Sequence, residues 1–332
     1  TNQAHALGMA VILDWVANHT SWDHPWITEH PEWYSKNSAG QFIVPPGTNW
    51  NDVADLNFDQ VAMRNAQIDA MKYWTLEANI DGFRCDYADG VPFDFWQDAI
   101  SALRGIPNRD ILMLAEGVRT DHYQAGFDLT YGWNFYSTLK NVWSGTSTNN
   151  LTTSHQTEYF NMPSGKGKIR FTTNHDESAW DASPMSLFNG KNGALAASIV
   201  SIFSGGVPLL YTGQEVGKTG TTPFFSNSNI NWAANPDMLA TYQALNAFYL
   251  ANDCARKGSL SAYQISSNLV CWKKTYGSKD ILILINVRNY VITFNLPPSL
   301  TGFYENALSL QTETIPNQMA LGPYGYKILK MN

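Results

Sequence analysis

Short apolar runs that end in a polar or charged residue recur along the first 210 residues of this chain. The spacing predicts strands over residues 9–14, 80–86, 111–116, 126–131, 168–173 and 206–211. Helical spacing of apolar positions lies between them, over residues 61–79, 92–103, 193–203 and 236–252. Strands that alternate with helices predict an α/β fold with a parallel sheet and right-handed crossovers.

The pattern differs in two other regions. Residues 20–57 have no sustained period and form a long excursion, and an excursion of that length inside a compact domain is usually functional. After about residue 254 the runs become short and alternating, split by Gly, Pro, Asn and Ser, which predicts an antiparallel β domain. We therefore expect a domain over residues 1–253, including the excursion, and a β-sandwich domain over residues 254–332.

Composition excludes several classes of protein. Hydrophobic residues make up 44% and charged residues 15% of the 332 residues, which is typical of a globular protein. The net charge of -7 argues against nucleic acid as a partner, and no apolar run is long enough for a membrane span. The three cysteines (Cys85, Cys254 and Cys271) have no metal-ligand spacing; we expect buried free thiols, with a Cys254–Cys271 pair as the alternative.

Aromatic residues are frequent, at 13%, and five of the 12 tryptophans lie within the first 50 residues. Such side chains fill cores, and they also form flat surfaces on which sugar rings stack. Composition leaves both interpretations open.

The run Gly-Phe-Arg-Cys-Asp over residues 82–86 carries the first candidate chemistry. Side chains alternate along a strand, so Arg84 and Asp86 share one face while Phe83 and Cys85 share the other. An adjacent arginine keeps a carboxylate ionised, as a nucleophile must be. The alternative is a buried ion pair that only organises the sheet.

Other candidate site residues also stand at the ends of apolar runs. Glu116 has apolar neighbours, which suit a general acid, although a glutamate at a strand end also commonly faces water. His19, His175 and Asp176 likewise end their segments. Individually these signals are weak. Together, several carboxylates with a neighbouring arginine and two histidines at different strand ends are what glycoside hydrolysis requires.

Four motifs then resemble those of the alpha-amylase family of glycoside hydrolases. They are Asp-Trp-Val-Ala-Asn-His at 14–19, Gly-Phe-Arg-Cys-Asp at 82–86, Ala-Glu at 115–116 and Phe-Thr-Thr-Asn-His-Asp at 171–176. The resemblance implies a (β/α)8 TIM-type barrel of which strands 3–8 are present, with residues 20–57 as a small domain B and residues 254–332 as domain C. The first motif belongs to the third strand, so we expect a fragment, a proteolytic product, or a protein that covers its open edges by dimerising.

The resemblance also implies an activity and a set of site residues. The family hydrolyses α-1,4-glucosidic bonds with retention, which predicts an endo-acting enzyme on starch and maltooligosaccharides, without an organic cofactor. The implied roles are nucleophile for Asp86, acid/base for Glu116, third carboxylate for Asp176, orientation of the nucleophile for Arg84, and substrate contacts for His19, His175 and Trp15. A polysaccharide substrate favours a secreted or cell-surface location.

Many members bind structural calcium, and Asn18 matches one ligand position, with Asp52 or Asp55 as further candidates. The chain departs from the calcium-binding pattern after the nucleophile, where Tyr-Ala-Asp-Gly stands at 87–90 in place of the usual Lys-His. The alternatives for function are a cyclodextrin or pullulan hydrolase, a transglycosylase, and an inactive α-glucan-binding protein.

Overall fold

The computed structural model describes residues 1–331. The chain forms two compact units, one of residues 1–131 with 163–167, the other of residues 132–162 with 168 onward. Each unit is described by itself.

The first unit contains six strands and five helices. The strands are β1 (Ile12–Trp15), β2 (His19–Ser21), β3 (Val53–Asp55), β4 (Gly82–Cys85), β5 (Leu112–Ala115) and β6 (Leu129–Tyr131). The helices are α1 (Asn2–Ala6), α2 (Trp26–Glu29), α3 (Val61–Glu77), α4 (Phe93–Arg104) and α5 (His122–Ala125). Strands β1, β4, β5 and β6 pair in that order, all in parallel, as the alternation of strands and helices predicted.

The core of this unit lies between the parallel strands and their helices. Phe83 and Cys85 of β4 are fully buried in one cluster with Phe95, Trp96 and Ile100 of α4. Strand β4 approaches β5 closely at Gly82, where a Cβ would overlap the carbonyl oxygen of Leu112. Glycine at this position therefore lets the two strands pair.

The excursion over residues 20–57 has little regular structure. Strands β2 and β3 form an antiparallel ribbon in which His19 lies opposite Asp55. A small apolar cluster that includes Trp33, Tyr34 and Leu56 supports it. His19, the last residue of the first motif, is thus also the first residue of β2, a short distance beyond the end of β1.

The second unit contains seven helices and ten strands. The helices are α6 (Trp133–Trp143), α7 (Asn149–Tyr159), α8 (Glu177–Trp180), α9 (Pro184–Leu187), α10 (Lys191–Phe203), α11 (Pro236–Ala251) and α12 (Asp253–Lys257). The strands are β7 (Gly167–Arg170), β8 (Val207–Pro208), β9 (Ser259–Ala262), β10 (Leu269–Tyr276), β11 (Lys279–Asn286), β12 (Ile292–Asn295), β13 (Gly302–Asn306), β14 (Thr312–Ile315), β15 (Gln318–Leu321) and β16 (Tyr326–Met331). Strands β7 and β8 are parallel, whereas β14-β13-β16-β11-β10-β9 form an antiparallel sheet beside a β12–β15 ribbon.

Strand β11 is buried on both faces, which explains its continuous apolar run. Ile281, Ile283 and Ile285 join a cluster with α10 and α11. Leu282 and Leu284, on the opposite face, join a cluster with the β12–β15 ribbon. The antiparallel C-terminal region was predicted, but helices α6 and α7 and strands β9 and β13–β15 were not.

The three cysteines are free and buried, as expected. None of the helices within residues 1–331 is long and apolar enough to cross a membrane.

Candidate active site

A single guanidinium joins three carboxyl groups in the first unit. Nη1 of Arg84 donates to Asp14 Oδ1 and to Asp86 Oδ1, each at 2.8 Å. Nη2 of the same side chain lies 2.5 Å from Glu116 Oε1. Arg84 is only 7% exposed. The residues at the ends of β1, β4 and β5 thus share one buried positive charge.

Strand geometry explains why these groups meet. Asp14 lies directly across from Arg84 in the β1–β4 register, and Glu116 follows the last residue of β5. Asp86 lies two residues beyond Arg84, on the same face, while Phe83 and Cys85 point into the core. The predicted separation of β4 into a charged face and an apolar face is confirmed.

Tyr131 is a further member of this group that the sequence did not indicate. Nε of Arg84 donates to the Tyr131 hydroxyl at 3.3 Å. Burial alone would lower the pKa of Arg84, but its interactions with Tyr131, Glu116 and Asp14 outweigh burial and raise it. Burial also raises the pKa of Tyr131, so its hydroxyl stays protonated at neutral pH. The available signal was its position at the end of a predicted strand.

The chain segment after Asp86 is bound to Glu116. The backbone N–H of Tyr87 donates to Glu116 Oε2 at 3.1 Å, and the N–H of Ala88 donates to the Glu116 carbonyl at 2.9 Å. Tyr87 has φ of 40°, in the left-handed region that few bulky residues adopt. Strain of this kind persists where surrounding contacts enforce it, and it is common at functional sites.

His19 lies in an aromatic group with Trp50 and Tyr87. Its ring meets Trp50 edge-to-face at a centroid distance of 5.4 Å, and Trp50 meets Tyr87 at 4.8 Å. Burial lowers the pKa of His19, although the charges of Asp86 and Asp52 oppose this effect. A neutral His19 can donate or accept a hydrogen bond. Trp50 is one of the five tryptophans in the first 50 residues, and no motif in the sequence distinguishes it from the others.

Trp15 makes packing contacts. Its Nε1 donates to Gln67 Oε1 at 3.2 Å, and its ring lies edge-to-face on Phe83 at 5.8 Å. Its predicted contact with substrate stays a prediction.

His175 and Asp176 belong to the second unit. Asp176 immediately precedes α8, and its carbonyl accepts the N–H of Trp180 at 2.9 Å. His175 Nε2 lies 3.6 Å from Asp176 Oδ1. Asn174 is 1% exposed, and its side-chain oxygen accepts the N–H of Glu177, the first residue of α8, at 2.9 Å. The fourth motif is therefore held by its own helix.

The predicted calcium ligands were tested against their surroundings. Asn18 is 3% exposed, and within residues 1–331 its Nδ2 has no hydrogen-bond partner. Asp55 is buried, and burial raises the pKa of its carboxyl group although a hydrogen bond from Ser35 opposes the shift. The unpartnered Nδ2 is a hydrogen-bond donor and does not bind a cation, but the side-chain oxygen of Asn18 and the carboxyl group of Asp55 are ligands of the type that calcium prefers.

Comparison with known proteins identifies the family. The family model for the alpha-amylase catalytic domain matches residues 30–264, most of the chain. The chain belongs to the alpha-amylase family. Its fold is accordingly a partial (β/α)8 barrel with an antiparallel C-terminal region, as the motifs predicted.

Two curated members of the alpha-amylase family are similar over most of this chain. Alpha-amylase MalA of Haloarcula japonica is 26% identical over 324 residues, which cover 90% of this chain and 46% of MalA. Alpha-amylase 3 of Dictyoglomus thermophilum is also 26% identical, over 99% of this chain and 78% of the amylase. The chain thus spans about half the length of MalA.

Solved structures of alpha-amylases have the same fold. A maltogenic alpha-amylase of Thermotoga neapolitana superposes with a TM-score of 0.88 at 23% identity, covering 99% of this chain and 79% of that protein. An alpha-amylase of Lactobacillus plantarum gives a TM-score of 0.84 at 26% identity, with coverage of 100% and 80%.

Proposed function

We propose that this protein hydrolyses α-1,4-glucosidic bonds within starch and maltooligosaccharides, with retention of configuration. The observation that carries the proposal is the contact of one buried guanidinium with both Asp86 and Glu116. Retaining glycosidases need two carboxyl groups only about 5–5.5 Å apart. Arg84 is one means of holding two carboxyl groups that close, because its two terminal nitrogens each contact an oxygen of one of them.

The chemistry assigns a different task to each carboxyl group. A carboxylate oxygen of Asp86 attacks the anomeric carbon as the bond to the leaving oxygen breaks, and Glu116 gives that oxygen its proton. Glu116 then takes a proton from water, which attacks the same carbon and releases Asp86. We assign to Asp176 the role of third carboxylate, which stabilises the positive charge on the sugar ring.

His19 and His175 are proposed to bind sugar hydroxyls beside the bond that is cleaved. The neutral form of His19 suits this task because it offers both a donor and an acceptor. Trp50 and Tyr87, which contact each other beside His19, are candidates for stacking against a glucose ring.

Calcium is proposed as a structural ion, with Asn18 and Asp55 supplying oxygen ligands. Bound there, it would fix the excursion against the end of β1, since Asp55 lies on β3 and Asn18 follows β1. It takes no part in the proton transfers.

Transfer of a maltosyl group is the second candidate. A maltosyltransferase of Bifidobacterium longum is 35% identical over 118 residues, although these cover only 34% of this chain. Transfer and hydrolysis share the same glycosyl–enzyme and differ in the group that accepts the sugar. Cyclodextrin and pullulan hydrolysis would use the same residues.

The proposal is tested by following reducing ends and oligosaccharide products from soluble starch and maltoheptaose. The wild-type protein is compared with Asp86→Asn and Glu116→Gln, with Asp94→Asn as a matched surface control. We expect the wild type and the control to release reducing ends, and the two site variants to release none above background. Products longer than maltoheptaose would indicate that the enzyme transfers a sugar group to another oligosaccharide. Equal background release from all four proteins would contradict catalysis and leave α-glucan binding as the alternative.

A further inference from the structure

Asp89 connects the chain segments that follow Asp86 and Glu116. It lies in the short turn after β4, three residues beyond Asp86. Its carboxylate accepts the backbone N–H of Val118 at 3.0 Å and that of Arg119 at 3.2 Å. Both donors follow Glu116 closely, so one side chain of the Asp86 segment binds the backbone of the Glu116 segment.

A buried histidine completes this contact. His122 Nε2 lies 2.7 Å from Asp89 Oδ1, and His122 is 1% exposed, with its ring edge-to-face on Phe127 at 5.3 Å. Within residues 1–331, its Nδ1 has no hydrogen-bond partner. The ring is therefore held by packing on one side and by Asp89 on the other.

The Glu116 segment also binds back to the Asp86 segment. Nη1 of Arg119 donates to the carbonyls of Asp89 and Val91 at 3.1 and 3.0 Å, while the same guanidinium is held by Asp121. Contacts in both directions make the two segments one connected structure. Hereafter Asp89, Arg119 and His122 are called the loop anchor.

Gly117 shows how closely the segments approach. A Cβ at this position would overlap the Asp89 carboxylate and would lie 2.6 Å from His122 Nε2. The residue next to Glu116 thus lies directly against the anchor, with no space between them. Burial opposes ionisation of Asp89, but its hydrogen bonds with His122, Val118 and Arg119 prevail and lower its pKa. The anchor therefore contains a carboxylate at neutral pH.

Both carboxyl groups of the site are held through their backbone and by Arg84, but the segments that follow them differ. The backbone of Asp86 is bound to Trp15 of β1 through an N–H···O contact of 3.0 Å, and its side chain is bound to Arg84. The backbone N–H of Glu116 likewise donates to the Cys85 carbonyl at 2.9 Å, and its carboxyl group contacts Arg84. The segment after Glu116, however, has no regular structure before α5, and it is this segment that the loop anchor ties down.

We infer that Asp89 is a positioning residue, which acts through His122 and the backbone of residues 118–119 to hold the Glu116 carboxyl group against the leaving oxygen. The inference rests on the proposed function, because it concerns the acid of that reaction. Asp89 itself touches no reacting atom. Its loss is expected to impair proton donation more than nucleophilic attack.

Two substrates separate these effects. Cleavage of maltoheptaose needs a proton on the leaving oxygen, whereas fluoride leaves α-maltosyl fluoride with little proton assistance. The value of kcat/KM reports the step that forms the glycosyl–enzyme in both cases. We expect Asp89→Ala to lower kcat/KM for maltoheptaose by about tenfold to a hundredfold and that for the fluoride by less than about twofold.

The milder variant Asp89→Asn should show the same selectivity with a smaller loss of kcat/KM on maltoheptaose. Asp94→Ala, on the neighbouring helix α4, should leave kcat/KM unchanged for both substrates. Retained activity on the fluoride also shows that a variant is folded. Equal losses on both substrates, or no loss on either in both Asp89 variants, would overturn the inference while leaving the proposed function intact. A wild-type protein inactive on both substrates would overturn the proposed function, and the inference with it.

Discussion

Nη1 of Arg84 lies 2.8 Å from Oδ1 of Asp86, two residues further along the same chain segment. The contact places a permanent positive charge beside the proposed attacking oxygen. The same nitrogen also binds Asp14, and its neighbour Nη2 binds Glu116. A guanidinium presents several N–H donors in a fixed planar fork, which lets one side chain contact three carboxyl groups.

Replacing Arg84 with lysine should therefore remove most activity even though the charge is retained. One ammonium cannot contact all three carboxyl groups at once, so at least one of them loses its charged partner and its fixed position. We expect kcat/KM on maltoheptaose to fall about 100-fold or more. Arg104→Lys is the matched control, because Arg104 pairs with Asp128 at the surface. An Arg84→Lys protein as active as Arg104→Lys would refute this role.

Gly90 should not tolerate alanine. A Cβ there would overlap the ring of Tyr87 and lie 2.7 Å from Asn18 Oδ1. Overpacking of this kind costs about 1–3 kcal/mol, and displacement of Tyr87 should also lower kcat. Gly322→Ala, which has open space around the new methyl group, should change the unfolding free energy by less than about 0.5 kcal/mol. Urea unfolding of both variants measures the difference, and equal values would contradict the prediction.

Lys274 should make stability rise with pH on the alkaline side. Burial lowers its pKa from 10.5 to about 8. Between these values the unfolded chain binds more protons than the folded chain, so the unfolding free energy increases with pH. Below pH 8 the cost of burying the ammonium is fully present.

Lys274→Met should remove this increase, whose slope is at most about 1.4 kcal/mol per pH unit. Lys273→Met, on the same strand, is the control, since the pKa of Lys273 is raised by its hydrogen bond to Asp280 and its charge persists across the range. Unfolding free energies from pH 7 to 10 provide the measurement. A wild-type profile parallel to that of Lys274→Met would show that Lys274 is not responsible.

Calcium should stabilise the protein if Asn18 and Asp55 bind it. We expect millimolar calcium to raise Tm relative to protein in EDTA, because a ligand that binds only the folded state adds to its stability. Asn18→Ala should lose this increase, whereas Asn65→Ala, on the exposed side of α3, should keep it. An unchanged Tm in the wild type would argue against the ion.

The sequence predicted the charged face of β4 because alternation along a strand is local. It also predicted that Asp14, Asp86 and Glu116 lie at the ends of neighbouring strands. In the structure, all three carboxyl groups contact Arg84. The sequence did not predict the role of Tyr131, because no local pattern indicates its contact with Arg84, which lies 47 residues away along the chain.

The loop anchor was missed for a related reason. Asp89 was noted only as a departure from a calcium-binding motif, and nothing in the spacing of residues 89 and 122 indicates a contact. Helix α7 was not predicted because it is largely polar and carries little apolar periodicity. Helix α6, in contrast, buries Phe135, Leu139 and Val142 at helical spacing, a signal that the prediction did not use. Strands β13–β15 are short, and their exposed positions dilute the alternating signal.

The most direct test of the account is to trap the glycosyl–enzyme. A 5-fluoro-α-maltosyl fluoride reacts with a retaining enzyme to leave a sugar that hydrolyses slowly, and peptide mass spectrometry then identifies the modified residue. We predict one added 5-fluoromaltosyl group on the peptide that contains Asp86, and none in Asp86→Asn. A label on another carboxylate, or turnover of maltoheptaose without any trapped adduct, would contradict the assignment of Asp86 as the nucleophile.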